Sequence, residues 1–214
     1  MTASATASID QIMRTAPVIP VLVIEDIEHA LPLAEALVAG GLNVLEVTLR
    51  TPCALDAIRE MKKVPGAIVG AGTVLNPAQL AQAIDAGSEF IVSPGLTPSL
   101  GQAAVDASIP FLPGTANAAD IMLGLDLGLD RFKFFPAEAS GGTAALKAIA
   151  APFAMARFCP TGGITLKTAP DYLALGAVLC VGGSWMVGKD AFADGRVNTA
   201  AVESAARAAA ALRG

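Results

Sequence analysis

Short apolar runs rich in valine, isoleucine and phenylalanine recur along this chain, separated by longer alanine- and leucine-rich segments with an apolar residue every three to four positions. The runs predict strands over residues 18–24, 44–50, 68–74, 90–93, 110–113, 131–135, 157–161 and 177–182, each starting 20 to 26 residues after the last. The intervening periodicity predicts helices that include 27–39, 54–63, 77–86, 118–127 and 170–175. Strand then helix, repeated eight times, describes an α/β fold of the (β/α)8 TIM-barrel type in a single domain spanning residues 1–214. Glycines at 40–41, 87, 128 and 176 stand where left-handed caps would stop helices before the next strand. Residues 1–16 read as a short helix closing the bottom of the barrel, and residues from 190 onward as the final helix. An open doubly wound sheet shares this local pattern, but its phosphate loop usually follows the first strand, and here the paired glycines come last.

Strand alternation then sorts the side chains. In Arg131-Phe132-Lys133-Phe134-Phe135, the phenylalanines at 132 and 134 share one face and suit packing beneath helices, so Lys133 and Phe135 point inward. In Leu45-Glu46-Val47-Thr48-Leu49-Arg50 the apolar set alternates with the polar set, which turns Glu46, Thr48 and Arg50 to the interior. Three interior charges are costly unless they do chemistry. A lysine buried among phenylalanines is disfavoured as an ammonium and can serve as an amine nucleophile towards a ketone. Two plainer accounts exist: a lysine whose head snorkels to a strand end, and a buried ion network of Glu46, Arg50 and Lys133.

Further polar positions gather at the expected C-terminal ends of the strands. Gly70-Ala71-Gly72-Thr73 offers small residues and a hydroxyl, with Thr73 a carboxylate partner beside Arg50. Thr161-Gly162-Gly163 and Gly182-Gly183-Ser184 offer clustered backbone N–H groups after the last two strands, where barrels often bind phosphate.

Composition narrows the function. Hydrophobic residues make up 54% and charged residues 15%, which suits one large core. A net charge of −5 without a basic patch argues against a nucleic-acid partner. No apolar run approaches the roughly 18 residues of a membrane span. The three cysteines, Cys53, Cys159 and Cys180, lack paired spacing and read as reduced thiols. The N-terminal segment lacks the pattern of a signal peptide, so a cytoplasmic location is expected. The single histidine, His29, reads as a solvent-facing helix residue, with Glu25 and Asp26 starting its helix. No cluster has zinc-ligand spacing, which disfavours metal-dependent chemistry, and no metal or cofactor is expected.

The segments Leu-Glu-Val-Thr-Leu-Arg, Gly-Ala-Gly-Thr-Val, Ser-Pro-Gly, Phe-Lys-Phe-Phe-Pro-Ala, Cys-Pro-Thr-Gly-Gly-Ile and Gly-Gly-Ser-Trp together resemble the family of bacterial 2-keto-3-deoxy-6-phosphogluconate (KDPG) and 4-hydroxy-2-oxoglutarate (KHG) aldolases, from about Val18 to Trp185. The resemblance implies a class I aldolase, acting as a homotrimer, that cleaves a phosphorylated keto-acid to pyruvate and glyceraldehyde 3-phosphate. Lys133 falls on the family's Schiff-base lysine and Glu46 on its general acid/base. Arg50 and Thr73 fall on groups that bind the pyruvate carboxylate, Gly162, Gly163 and Ser184 on the phosphate site, and Pro94, Phe135 and Thr161 on the pocket lining. Asn117 and Asp120 depart from the threonine and glutamate frequent in the family after the fifth strand. Two other readings fit the residues: a sugar-phosphate isomerase or epimerase with Glu46 as base and no covalent adduct, and a non-catalytic phospho-ligand sensor.

Overall fold

The computed structural model describes residues 5–212. Its centre is a curled parallel sheet flanked by helices. Strands β1 (Val18–Leu22), β2 (Val44–Thr48), β3 (Ile68–Gly72), β4 (Ile91–Val92) and β5 (Phe111–Leu112) pair in sequence, and β9 (Val181–Gly183) pairs with the far side of β1. A second parallel sheet joins β6 (Gly114–Thr115), β7 (Arg131–Phe134) and β8 (Arg157–Pro160). Only Pro113 separates β5 from β6, and its carbonyl accepts from the Lys133 N–H at 2.8 Å. Isolated bridges pair Phe158 with Val178 and Thr161 with Gly182. The eight predicted strand segments are all found, the first three each ending two residues early, with two larger changes. The fifth is divided at Pro113, which has no N–H to give a ladder, and the eighth starts at Val181 rather than at 177.

Helices α2 (Ala30–Ala39), α3 (Ala54–Met61), α4 (Pro77–Asp85), α5 (Pro98–Asp106), α6 (Ala118–Asp126), α7 (Gly142–Ala150) and α8 (Ala169–Leu173) lie between strands. Asn76, Thr97 and Asn117 cap α4, α5 and α6 with side-chain oxygens. At α6, Asp120 also accepts from the Ala116 N–H at 2.8 Å, so Asn117 and Asp120 form a reciprocal cap. Gly41, Gly87 and Gly128 adopt positive φ past their helices, as expected, but Gly176 does not.

The alternation of side chains holds where strands are regular. Leu45, Val47, Phe132, Phe134 and Phe158 belong to the large core between sheet and helices. Each such side chain contributes about 1.5–3 kcal/mol on burial. A smaller cluster inside the curl gathers Ile19, Val44, Phe90, Val92, Leu112, Cys159 and Cys180, and α1 (Ala5–Thr15) adds Ile9, Ile12 and Met13 to it. Asp10 of α1 accepts from Arg131 Nε at 2.6 Å at the start of β7. The helix therefore plugs the end of the curl where strands begin; residues 1–4 of the segment expected to form it lie outside the described residues.

The chain beyond residue 190 differs from expectation. The last helix, α9, covers only Thr199–Ala210. Before it stands a hairpin of β10 (Phe192–Ala193) and β11 (Arg196–Val197), turned by Asp194 and Gly195 at φ of 51° and 73°. His29 is half-buried against this hairpin rather than solvent-facing: Nε2 lies 3.0 Å from the Gly195 carbonyl oxygen and the ring centroid 5.0 Å from that of Phe192. Asp26 does cap the short turn at 27–29, accepting from the Glu28 N–H.

Candidate active site

Two of the charged side chains among the described residues are buried, Glu46 at 2% and Lys133 at 5% exposure, and they face each other. Lys133 Nζ lies 3.0 Å from Glu46 Oε1. Their strands are not neighbours: β2 lies in the six-stranded sheet and β7 in the three-stranded one, so the two side chains meet across the interior of the curl. Burying a carboxylate and an ammonium costs several kcal/mol per ion, and their attraction at best repays it. A fold seeking stability alone would place apolar residues here.

Local sequence explains the geometry. Val44, Glu46 and Thr48 share the inward face of β2, and Val44 is spent on the lower cluster. The Thr48 hydroxyl donates to the Leu22 carbonyl oxygen at 2.9 Å, which leaves Glu46 as the inward group of β2 without a backbone partner among the described residues. Gly72 on β3 makes the room: a Cβ there would fall 2.6 Å from Glu46 Cγ and 2.8 Å from Cδ. Its first duty is to seat the glutamate. On β7, Phe132 and Phe134 anchor the outer face and Lys133 is driven inward, its Nζ 5.3 Å from the centroid of the half-buried Phe135 ring.

Arg50 corrects an expectation. β2 ends at Thr48, so the two-residue alternation stops there, and Arg50 lies exposed in the following turn. The interior network of three charges is thus a pair. Among the described residues the Arg50 side chain has no ion-pair partner, which leaves its five donors open to a ligand. Thr73 follows β3 in a left-handed conformation, φ 58°, which for a β-branched residue stores roughly 1–3 kcal/mol of strain. Pro94 is half-buried after β4, where Ser93 Oγ donates to the Gly95 carbonyl oxygen at 2.7 Å and holds the turn.

Thr161 is buried and its hydroxyl donates to the Cys159 carbonyl oxygen at 3.3 Å. Gly162 and Gly163 both take positive φ, 106° and 79°, a conformation that any side chain would strain. Gly182 and Gly183 are buried for packing reasons, facing the Thr161 side chain and the Trp185 indole. Ser184 is exposed and lines a cavity of about 460 Å³ together with Val21, Ile24, Glu25 and Phe192; neither Lys133 nor Glu46 lines it. No group of three or more metal-ligating side chains occurs among the described residues.

The profile described as KDPG and KHG aldolase matches residues 9–203. The chain belongs to the KDPG and KHG aldolase family. A 2-dehydro-3-deoxy-phosphogluconate aldolase of Zymomonas mobilis subsp. mobilis is 70% identical over 179 residues, covering 84% of this chain and 86% of the relative. Among solved family members, the 2-keto-3-deoxy-6-phosphogluconate aldolase of Zymomonas mobilis ZM4, crystallised with 3-phosphoglycerate, superposes with a TM-score of 0.93 at 62% identity and 97% coverage of both chains. The KDPG aldolase of Legionella pneumophila, with pyruvate captured as a covalent carbinolamine, superposes with a TM-score of 0.90 at 45% identity, covering 94% of this chain and 98% of that one. The fold is therefore TIM-barrel-like. No helix among the described residues is long and apolar enough to cross a membrane.

Proposed function

We propose that this chain is a class I aldolase cleaving 2-dehydro-3-deoxy-6-phosphogluconate to pyruvate and D-glyceraldehyde 3-phosphate through an imine on Lys133. The observation that carries this reading is the buried Lys133–Glu46 pair, 3.0 Å apart across the curl. A proton can pass from the ammonium to Glu46 at that distance, freeing the amine lone pair. The amine adds to the C2 ketone, and protonated Glu46 delivers its proton to the carbinolamine oxygen, which leaves as water. The iminium that remains withdraws electrons from the C3–C4 bond. Glu46, now a carboxylate, removes the C4 hydroxyl proton as that bond breaks, releasing the aldehyde and leaving an enamine. It returns the proton to C3, and water hydrolyses the pyruvyl imine to regenerate the amine.

In the same proposal Arg50 grips the substrate carboxylate with its forked donors and Thr73 assists, while Gly162, Gly163 and Ser184 hold the distal phosphate. Thr161, Pro94 and Phe135 shape the pocket, and Gly182 and Gly183 act through packing against Thr161 and Trp185. Cleavage of 4-hydroxy-2-oxoglutarate is a side activity of the same site, since it needs only the keto-acid end. Release of pyruvate from the phosphorylated substrate, followed with a coupled lactate dehydrogenase, tests the reading; no release from folded protein would refute it.

We also infer that the two sheets form one closed eight-stranded barrel in a single domain. Support comes from the bridges linking Phe158 and Thr161 to Val178 and Gly182, and from the single run Phe111–Thr115 that lies on the edges of both sheets. A homotrimer in the cytoplasm completes the proposal and rests on the family resemblance; sedimentation at the mass of three chains is the expected result.

A further inference from the structure

The turn that carries Gly162 and Gly163 is built on the turn that follows the Lys133 strand. The Ala137 N–H donates to the Thr161 carbonyl oxygen at 2.8 Å, and the Glu138 N–H to that of Gly162 at 3.0 Å. The Glu138 side chain lies against Gly163, with its Cβ and Cγ each 2.8 Å from where a Cβ on that glycine would stand. Beneath, Tyr172 of α8 is 1% exposed and donates its hydroxyl to Glu138 Oε1 at 2.8 Å. Burial, then the hydrogen bond and negative charge of Glu138, push the Tyr172 hydroxyl well above the ordinary phenol range, so it stays a donor at any physiological pH.

A carboxylate beside a turn that receives an anion is a poor arrangement unless its charge is fixed elsewhere. Tyr172 does this by holding one carboxylate oxygen towards α8. A phenylalanine would fill the same buried space, so the hydroxyl is explained by Glu138 and not by packing.

We propose that Tyr172 and Glu138 are positioning residues that fix the Gly162–Gly163 turn relative to Lys133, and so set how strongly the enzyme prefers a keto-acid with a distal phosphate. The inference rests on the proposed phosphate role of that turn. Neither residue touches the reacting atoms. Their effect belongs in KM for the phosphorylated substrate, not in the chemistry at Lys133.

The test compares Tyr172→Phe, Glu138→Ala and Glu138→Gln in two assays: steady-state cleavage of the phosphorylated six-carbon substrate, and exchange of pyruvate methyl protons, which involves no phosphate. Tyr172→Phe and Glu138→Ala should each raise KM about tenfold with kcat within about twofold and pyruvate exchange unchanged, a split typical of lost ground-state binding. Glu138→Gln keeps an acceptor for Tyr172 and should restore KM to within about threefold of the parent. Glu138 is exposed, so its variants carry the test if Tyr172→Phe fails to fold. Unchanged KM in Glu138→Ala, or parallel losses in cleavage and exchange, would overturn the proposal. Ser184→Ala separates the two layers: if it raises KM while Glu138→Ala does not, the positioning role alone falls; if neither does, the phosphate site itself is misplaced.

Discussion

Replacing Gly72 by alanine tests the geometry of the Lys133–Glu46 pair without substituting either member. The added methyl would sit 2.6 Å from Glu46 Cγ and 2.8 Å from Cδ, where ordinary carbon contacts are about 3.5–4.0 Å. Gly72 has no positive φ, so alanine suits the backbone and the strain falls on Glu46. The carboxylate must retreat by roughly 1 Å, and a displacement of that size costs on the order of 100-fold in rate. That is about 2.7 kcal/mol of barrier. Overpacking adds about 1–3 kcal/mol of destabilisation, a loss of several degrees in Tm that leaves the protein folded. The assay is cleavage kcat alongside borohydride trapping with pyruvate. Turnover should fall about 100-fold while Lys133 still forms its adduct. A folded Gly72→Ala variant with parental kcat would mean that Glu46 does not need this position, and the acid/base assignment would fail.

Glu46→Gln should slow imine formation without abolishing it and lose at least about 100-fold in pyruvate methyl-proton exchange, the range of general-base contributions; exchange at the parental rate would show that another group moves the proton. The link between α1 and β7 should be acid-labile. Burial opposes ionisation of Asp10, but hydrogen bonds and charge from Arg14 and Arg131 outweigh it and hold the carboxyl below its ordinary value of 3.8. The stability so gained is present above that value and is lost as pH falls through and below it. The Tm advantage of the parent over Asp10→Asn should therefore be constant near neutrality and shrink below about pH 4; an advantage unchanged at about pH 3 would contradict this.

How far the chain could be read from its letters depends on local regularity. Glu46 and Lys133 were legible because both lie mid-strand, where a two-residue period and flanking Leu45, Val47, Phe132 and Phe134 fix the face. Arg50 was misplaced because β2 ends at Thr48 and alternation means nothing in the turn beyond. The meeting of Glu46 with Lys133, 87 residues apart, is a matter of how the sheet curls, which periodicity does not encode. Gly72 was not legible: in the β2–β3 register Glu46 pairs with Gly70 and Gly72 with Thr48, so which glycine seats the glutamate follows from how that side chain leans along the strand. The hairpin at 192–197 did leave a signal, since Asp194-Gly195 is a favoured two-residue turn, but strands of two residues each are too short to show a period. Tyr172 and Glu138 had no such signal, because their contact joins the turn after one strand to the helix after the next.

Incubating the protein with pyruvate and borohydride, with a control lacking pyruvate, and mapping the product by mass spectrometry asks most directly whether Lys133 does covalent chemistry. A reduced pyruvyl adduct is expected on Lys133 and on no other lysine; Lys133 left unmodified, under conditions that trap a known class I aldolase, would rule out the imine.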